Sequence, residues 1–214
     1  MNKLLFIIKK PQYLLISLVI KLPYFSFLKQ TKSYNNQVSF TFWFLQKVMN
    51  FGGNKKAYWP VHWSSQVYDA ENILIDTGTY PGIMKGCYIQ GKGGITFGKN
   101  TLVAPNVIIV SANHDLFDNR KSILQPVKVG NYCWIGAGAK IMPGVTLGDF
   151  TIVAAGTVVT KSFETGYCVV GGIPAKKIKD LDKNNCIHYD NEIDYIGYIH
   201  KNKFDSFRAK NLKV

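Results

Sequence analysis

Acidic side chains are scarce in this chain of 214 residues: 13 Asp and Glu stand against 26 Lys and Arg, a formal net charge of +13. The shortage leaves a surface that attracts anions, a class spanning nucleic acid, phospholipid, phosphorylated cofactors and acidic glycans. Nucleic acid is the least favoured of these, because the lysines are spread over both ends and no helix-turn-helix or Cys/His finger gathers them. Cysteine is equally sparse. Cys87, Cys133, Cys168 and Cys186 include no close pair of the kind a structural zinc needs, and no cleavable signal precedes them, so reduced, buried thiols are expected. Long apolar runs are missing too. LLFII and YLLISLVI near the start are interrupted by Lys9, Lys10 and Pro11 and fall short of the roughly 20 residues that span a bilayer. Residues 1–60 are therefore read either as a helical region packed on the rest or as a basic amphipathic segment at a membrane surface.

What is present is a repeat. An aliphatic residue stands at every sixth position through Val129, Ile135, Ile141, Leu147, Val153 and Val159, and a small or modest one follows four places later at Cys133, Ala139, Val145, Thr151 and Thr157. Six residues fit neither a helical period nor the turn-rich alternation of a sandwich. They fit a triangular solenoid in which each hexad supplies a short strand and a corner, three hexads make a coil, and stacked coils bury a continuous aliphatic column. The phase runs back through Phe97, Val103 and Ile109 and reappears at Val61, Val67 and Ile73. Between these blocks it weakens: Thr79, Lys85 and Gly91 occupy the aliphatic sites while Ile83, Ile89 and Ile95 occupy the companion sites, which leaves an irregular or a shifted coil open.

Twenty positions separate Ile109 from Val129, which is no multiple of six, and the intervening SANHDLFDNRKSILQP is too polar to continue the core. A loop over residues 111–128 must leave the solenoid. It holds His114, the sole histidine between residues 63 and 187, and loops on rigid scaffolds often carry the chemistry.

The ordered set TLVAPNVIIVSANHD, VKVGNYCWIGAGAKIMPGVTLGDFTIVAAGTVVTK and GGIPAKKIK resembles the hexapeptide-repeat acyltransferases, which include galactoside, maltose and serine acetyltransferases. The likeness covers Ile95 to Lys179, about two-fifths of the chain. It implies a mainly β fold, a left-handed parallel β-helix, assembled as a homotrimer with active sites between neighbouring solenoids. YWPVHW and PGIMKGCYIQGKGGI are most similar to the bacterial capsule and lipopolysaccharide O-acetyltransferases. Met84 to Gly91 departs from the galactoside-type pattern by lacking its sugar-contacting polar residues. The expected organisation is a partly helical, membrane-proximal region over 1–60, a β-helix catalytic domain over 61–179 with the loop 111–128 ejected from it, and a C-terminal extension over 180–214 that caps a solenoid end, residues 1–60 capping the other.

The resemblance implies transfer of acetyl from acetyl-CoA to a hydroxyl of a bacterial surface polysaccharide or its precursor, without a metal. A neutral imidazole suits removal of the hydroxyl proton, and His114 matches the family's catalytic histidine. Asp115 or a backbone carbonyl would orient it, and Asn113 would position the acceptor. Trp134, one place before the inward Ile135, should point outward toward the acetyl-pantetheine arm or the acceptor. Ala137 and Ala155 would present backbone to the pantetheine, Thr160 and Lys161 would lie by the adenine end, and Lys176 and Lys179 would meet phosphate. The expected setting is cytoplasmic, peripheral at the inner face of the membrane, with coenzyme A and an acidic carbohydrate acceptor as partners and no nucleic acid. Three rivals stay open: N-acetylation of a nucleotide-linked amino sugar, a non-catalytic glycan-binding solenoid, and a zinc carbonic anhydrase. The last needs three converging histidines, whereas His62 and His114 lie in or near the repeat and His188 and His200 beyond it.

Overall fold

The computed structural model describes Leu22, residues 25–30 and residues 38–214; the apolar runs of residues 1–20 lie outside the described residues. The elements in chain order begin with α1 (Ser26–Gln30) and α2 (Phe40–Lys47), followed by β1 (Gln66–Tyr68), β2 (Ile73–Leu74), β3 (Tyr88–Gln90), β4 (Ile95–Phe97), β5 (Leu102–Val103) and β6 (Ile108–Val110). Then come a hairpin of β7 (Ala112–His114) and β8 (Ser122–Leu124), and β9 (Val127–Val129), β10 (Trp134–Ile135), β11 (Lys140–Ile141), β12 (Thr146–Leu147), β13 (Thr151–Val153) and β14 (Val158–Val159). The chain finishes with β15 (Cys168–Gly171), β16 (Lys176–Asp180), β17 (Tyr195–Ile196), β18 (Ile199–His200) and α3 (Lys201–Asn211).

Three sheets form the solenoid. The first face has strand order β1-β3-β6-β11-β14, the second β2-β4-β9-β12, and the third β5-β10-β13-β15 with β16 closing its edge. Within these faces the strands are parallel except for β16, which pairs antiparallel with β15. Ile135 pairs with Val153 and Ile141 with Val159, so a regular coil takes 18 residues, three hexads. The aliphatics at every sixth position from Val129 to Val159 are buried, as are all five companions. Burying one such side chain stabilises the fold by about 1.5–3 kcal/mol.

The weak block is a shift of phase. Val67 pairs with Ile89, 22 residues on, and Ile89 with Ile109, 20 further. Together these two coils span 42 residues, a multiple of six, so the phase is lost inside them and recovered at Phe97. Ile89 and Ile95 are fully buried, which makes them core residues in a displaced frame.

At the corner between the second and third faces, Asn100, Tyr132, Phe150 and Tyr167 all have left-handed backbone, with φ of 55°, 55°, 54° and 46°. Asparagine takes this conformation readily, aromatic residues seldom. Here the rings stack along the axis, 4.8 Å between Tyr132 and Phe150 and 5.2 Å between Phe150 and Tyr167, and this contact offsets the backbone cost.

After β16 the chain turns back along this corner. Tyr189 gives its carbonyl to Asn100 Nδ2 at 2.7 Å and to Tyr132 Oη at 2.8 Å, and the His188 ring lies edge-on to Phe150. The segment ends at the first coil: the Tyr198 N–H bonds to the Tyr58 carbonyl at 2.8 Å, and Phe204 and Phe207 pack on Tyr58. Ile193, Tyr195 and Tyr198 form a second core with Phe25, Phe27, Leu28 and Val38. This corrects the expectation that the two extensions cap opposite ends, because the described parts of both lie on the first coil. The reason is the aromatic corner, which gives the C-terminal segment a path back along the solenoid.

Gln46 on α2 ties this cap together. It is buried, its Nε2 donates to the carbonyls of Asn54 and Trp59 at 3.1 and 2.9 Å, and its Oε1 accepts from Val61 N–H at 3.1 Å and Tyr198 Oη–H at 2.7 Å. Among the described residues no helix is long and apolar enough to cross a membrane.

Candidate active site

The ejected segment is a hairpin at the corner between the first and second faces. Its base is anchored by Ser111, whose N–H bonds to the Gln90 carbonyl at 3.1 Å, whose carbonyl accepts from Gln125 N–H at 2.9 Å, and whose hydroxyl accepts from Gly93 N–H at 2.9 Å. A Cβ on Gly93 would fall 2.0 Å from the Ser111 carbonyl oxygen, so only glycine lets the hairpin leave there. Lys92 Nζ bonds to the Ser122 hydroxyl at 2.7 Å from outside.

His114 closes β7 and is exposed. Its Nδ1 lies 2.6 Å from the Asn119 carbonyl oxygen. A carbonyl only accepts, so Nδ1 carries a hydrogen, and in the neutral ring the lone pair is then on Nε2, the tautomer a general base requires. Asp115 does not orient the ring. Its Oδ1 accepts from the N–H groups of Phe117 and Asp118 at 2.8 and 3.0 Å, which makes it the residue that shapes the turn. Asn113 reaches Gln125 Oε1 across the hairpin at 3.3 Å. Asp118 is paired with Arg120 at 2.8 Å, and that guanidinium holds its carboxyl below the usual range. Leu116 and Phe117 stand at the tip, 92% and 98% exposed.

The other sequence-selected residues fall in two places. Thr160 and Lys161 follow β14 at the corner where the hairpin leaves, both exposed. Trp134 projects from the third face at 53% exposure, while its neighbour Ile135 is fully buried. It lines a cleft of about 240 Å³ with Tyr80, Met84, Leu102, Ala104 and Pro105. From Pro105 a column of bare backbone continues along the corner between the third and first faces: the Gly138 N–H bonds to the Pro105 carbonyl at 3.0 Å and the Gly156 N–H to the Ala137 carbonyl at 2.8 Å. Ala137 and Ala155 are exposed there, and a Cβ on Gly138 or Gly156 would meet nothing within 4 Å. Lys176 and Lys179 are exposed on β16, and between them Lys177 pairs with Asp180 at 2.8 Å.

In a three-faced prism the corner between the first and second faces lies opposite the third face. One chain therefore does not bring His114 together with Trp134, nor Thr160 and Lys161 together with Ala137 and Ala155. The histidines do not converge either: His62 bonds to Ser64, His188 packs on Tyr132, and His200 caps α3. Among the described residues no three His, Cys, Asp or Glu side chains form a metal-holding group. Sequence reasoning offered a backbone carbonyl as one partner for the ring without saying which, and the structure puts Asn119 there; it missed the Tyr80 and Met84 walls of the Trp134 cleft, which lie in the shifted coil.

The bacterial transferase hexapeptide pattern, six repeats, matches residues 126–161. Over 99 residues the chain is 34% identical to galactoside O-acetyltransferase of Escherichia coli (strain K12), covering 44% of this chain and 48% of that protein. It is 48% identical over 91 residues to a Dictyostelium discoideum protein named as an acetyltransferase, covering 41% and 47%. The chain thus spans about half the length of the curated relatives it matches. Among solved structures, a galactoside acetyltransferase in complex with coenzyme A superposes with a TM-score of 0.50 at 27% identity, covering 60% of this chain and 68% of that one.

Proposed function

We propose, from the premise that residues 126–161 belong to the bacterial transferase hexapeptide family, that the chain transfers acetyl from acetyl-CoA to a hydroxyl of a carbohydrate. The observation that carries the reading is the His114 tautomer: Nδ1 is tied to the Asn119 carbonyl and Nε2 is left to accept a proton. As the sugar oxygen attacks the thioester carbonyl, Nε2 takes the hydroxyl proton. When the tetrahedral adduct collapses, the carbon–sulfur bond breaks and the same proton goes to the departing thiolate. A base of this kind contributes about 10² to 10⁴ in rate.

The site forms between copies. The hairpin edge of one solenoid, with His114, Asn113, Thr160 and Lys161, packs against the Trp134 cleft and the Ala137–Ala155 column of the next. The exposed Leu116 and Phe117 supply an apolar contact beside the base. Joining one surface to a different surface on the next copy makes a ring when the rotation closes, and the ring proposed here holds three copies. Ala137 and Ala155 line the pantetheine path, and Lys176 and Lys179 offer charge to phosphate. The acceptor is a bacterial surface polysaccharide or its precursor, of the capsule or lipopolysaccharide kind, and the net charge of +13 favours an acidic one. The expected place is the cytoplasm, at the inner face of the membrane.

The test follows acetyl-CoA turnover by released thiol against acidic and neutral glycans, with His114→Ala beside the wild type. Turnover reduced at least about 10²-fold with coenzyme A binding retained is expected. Unchanged turnover in the variant would remove His114 as the base. Failure of the wild type to bind coenzyme A would overturn the transferase reading.

A further inference from the structure

The first-coil end carries a surface that acyl transfer does not use. Residues 1–68 contain nine lysines and no Asp or Glu; the first acidic residue is Asp69. Within the described part of that stretch, Phe44, Val48, Met49, Phe51 and Trp63 are 37%, 50%, 54%, 52% and 59% exposed. They fall in two groups. Val48 lies one turn beyond Phe44, its N–H on the Phe44 carbonyl at 2.9 Å, and the Met49 N–H shares that carbonyl at 3.1 Å. Phe51 and Trp63 line one small hollow with Phe42 and Leu45 from α2.

The turn that presents Phe51 is set by its backbone. Asn50, Gly52 and Gly53 have φ of 55°, 71° and 73°, and a Cβ on Gly52 would lie 2.2 Å from the Trp63 carbonyl oxygen. Two distant stretches of chain are therefore held close enough to present Phe51 and Trp63 side by side. Lys55 and Lys56 follow at once, both exposed, and the Lys55 N–H is fixed to Asn50 Oδ1 at 3.0 Å.

We propose that this face docks on an anionic lipid bilayer, with Phe51 and Trp63 entering the headgroup boundary and Lys55 and Lys56 meeting lipid phosphates. Aromatic rings favour that boundary, and lysines add attraction that fades within a Debye length of a negative membrane. Neither contribution alone gives firm anchoring; the two together do. Charge selects this occupant over a second copy. Pairing two such faces would bring Lys55 and Lys56 against their copies, and Glu71, the acid that shares a hollow with Lys56, is already paired with Lys213. The contact is independent of the transferase chemistry and is read without turnover.

The experiment sediments the purified full chain with vesicles of phosphatidylglycerol and phosphatidylcholine, or of phosphatidylcholine alone. Partition onto the anionic vesicles is expected, weaker in high salt. It should drop about tenfold or more in Phe51→Ser/Trp63→Ser and in Lys55→Glu/Lys56→Glu. These side chains are exposed, so both variants should keep wild-type circular dichroism and acetyl-CoA turnover. No binding by the wild type, or equal binding by wild type and both variants, would overturn the proposal. So would variants that change the oligomeric state while vesicle binding is absent, since the face would then belong to a second copy.

Discussion

Individual residues in this molecule take their chemistry from how they are covered. Cys133 is buried between coils and its thiol is pushed up to about 12 by loss of solvent; burial likewise pushes up the thiols of Cys87 and Cys168. Cys186 lies in the returning segment and is partly exposed. A thiolate is the reacting species, so an aromatic disulfide reagent should modify one thiol quickly at pH 8 and all four only after unfolding. Rapid reaction of two or more in the native protein would mean that the coils open locally. His114 shows the converse dependence: its ring is held by one carbonyl, on which the proposed role as a base depends, and the aspartate beside it in sequence serves the turn instead.

Among elements, the 18-residue coils were legible from spacing alone, because every inward position repeats the same burial problem. The early coils were not, since a chain that inserts four residues and then two keeps its core but hides its period. The hairpin could be placed by its polar sequence, while its corner and the separation of His114 from Trp134 needed the order of the faces. The cap was unreadable for another reason: it depends on a polar residue, Gln46, inside a helix whose sequence is otherwise mostly apolar. Gln46→Ala would strand the Val61 N–H, take away the acceptor that the Tyr198 hydroxyl uses and remove one donor each from the Asn54 and Trp59 carbonyls. Each stranded group costs about 1–3 kcal/mol, so a loss of about 3 kcal/mol is expected by urea unfolding. A loss under about 0.5 kcal/mol would mean that the cap is held by its rings alone.

For the molecule as a whole, the returning segment couples parts that a simple solenoid would leave independent. Stacked repeats ordinarily contact only their neighbours, so their ends can open first. Here residues 188–191 bind Asn100, Tyr132 and Phe150, and residues 193–214 cover the first coil. Deleting residues 182–214 should replace one sharp thermal transition by a broad, earlier one, with light scattering rising as β1 and β2 lose their cover. An unchanged, single transition would mean that the coils suffice by themselves.

The same path sets an order of events during synthesis. The ribosome delivers the first coil long before residues 193–214 exist, so its outer edge must wait for that part of its cover through more than a hundred further residues of translation. A nascent chain of this design is most exposed to aggregation at the part made earliest, and becomes safe only when the part made last folds back over it.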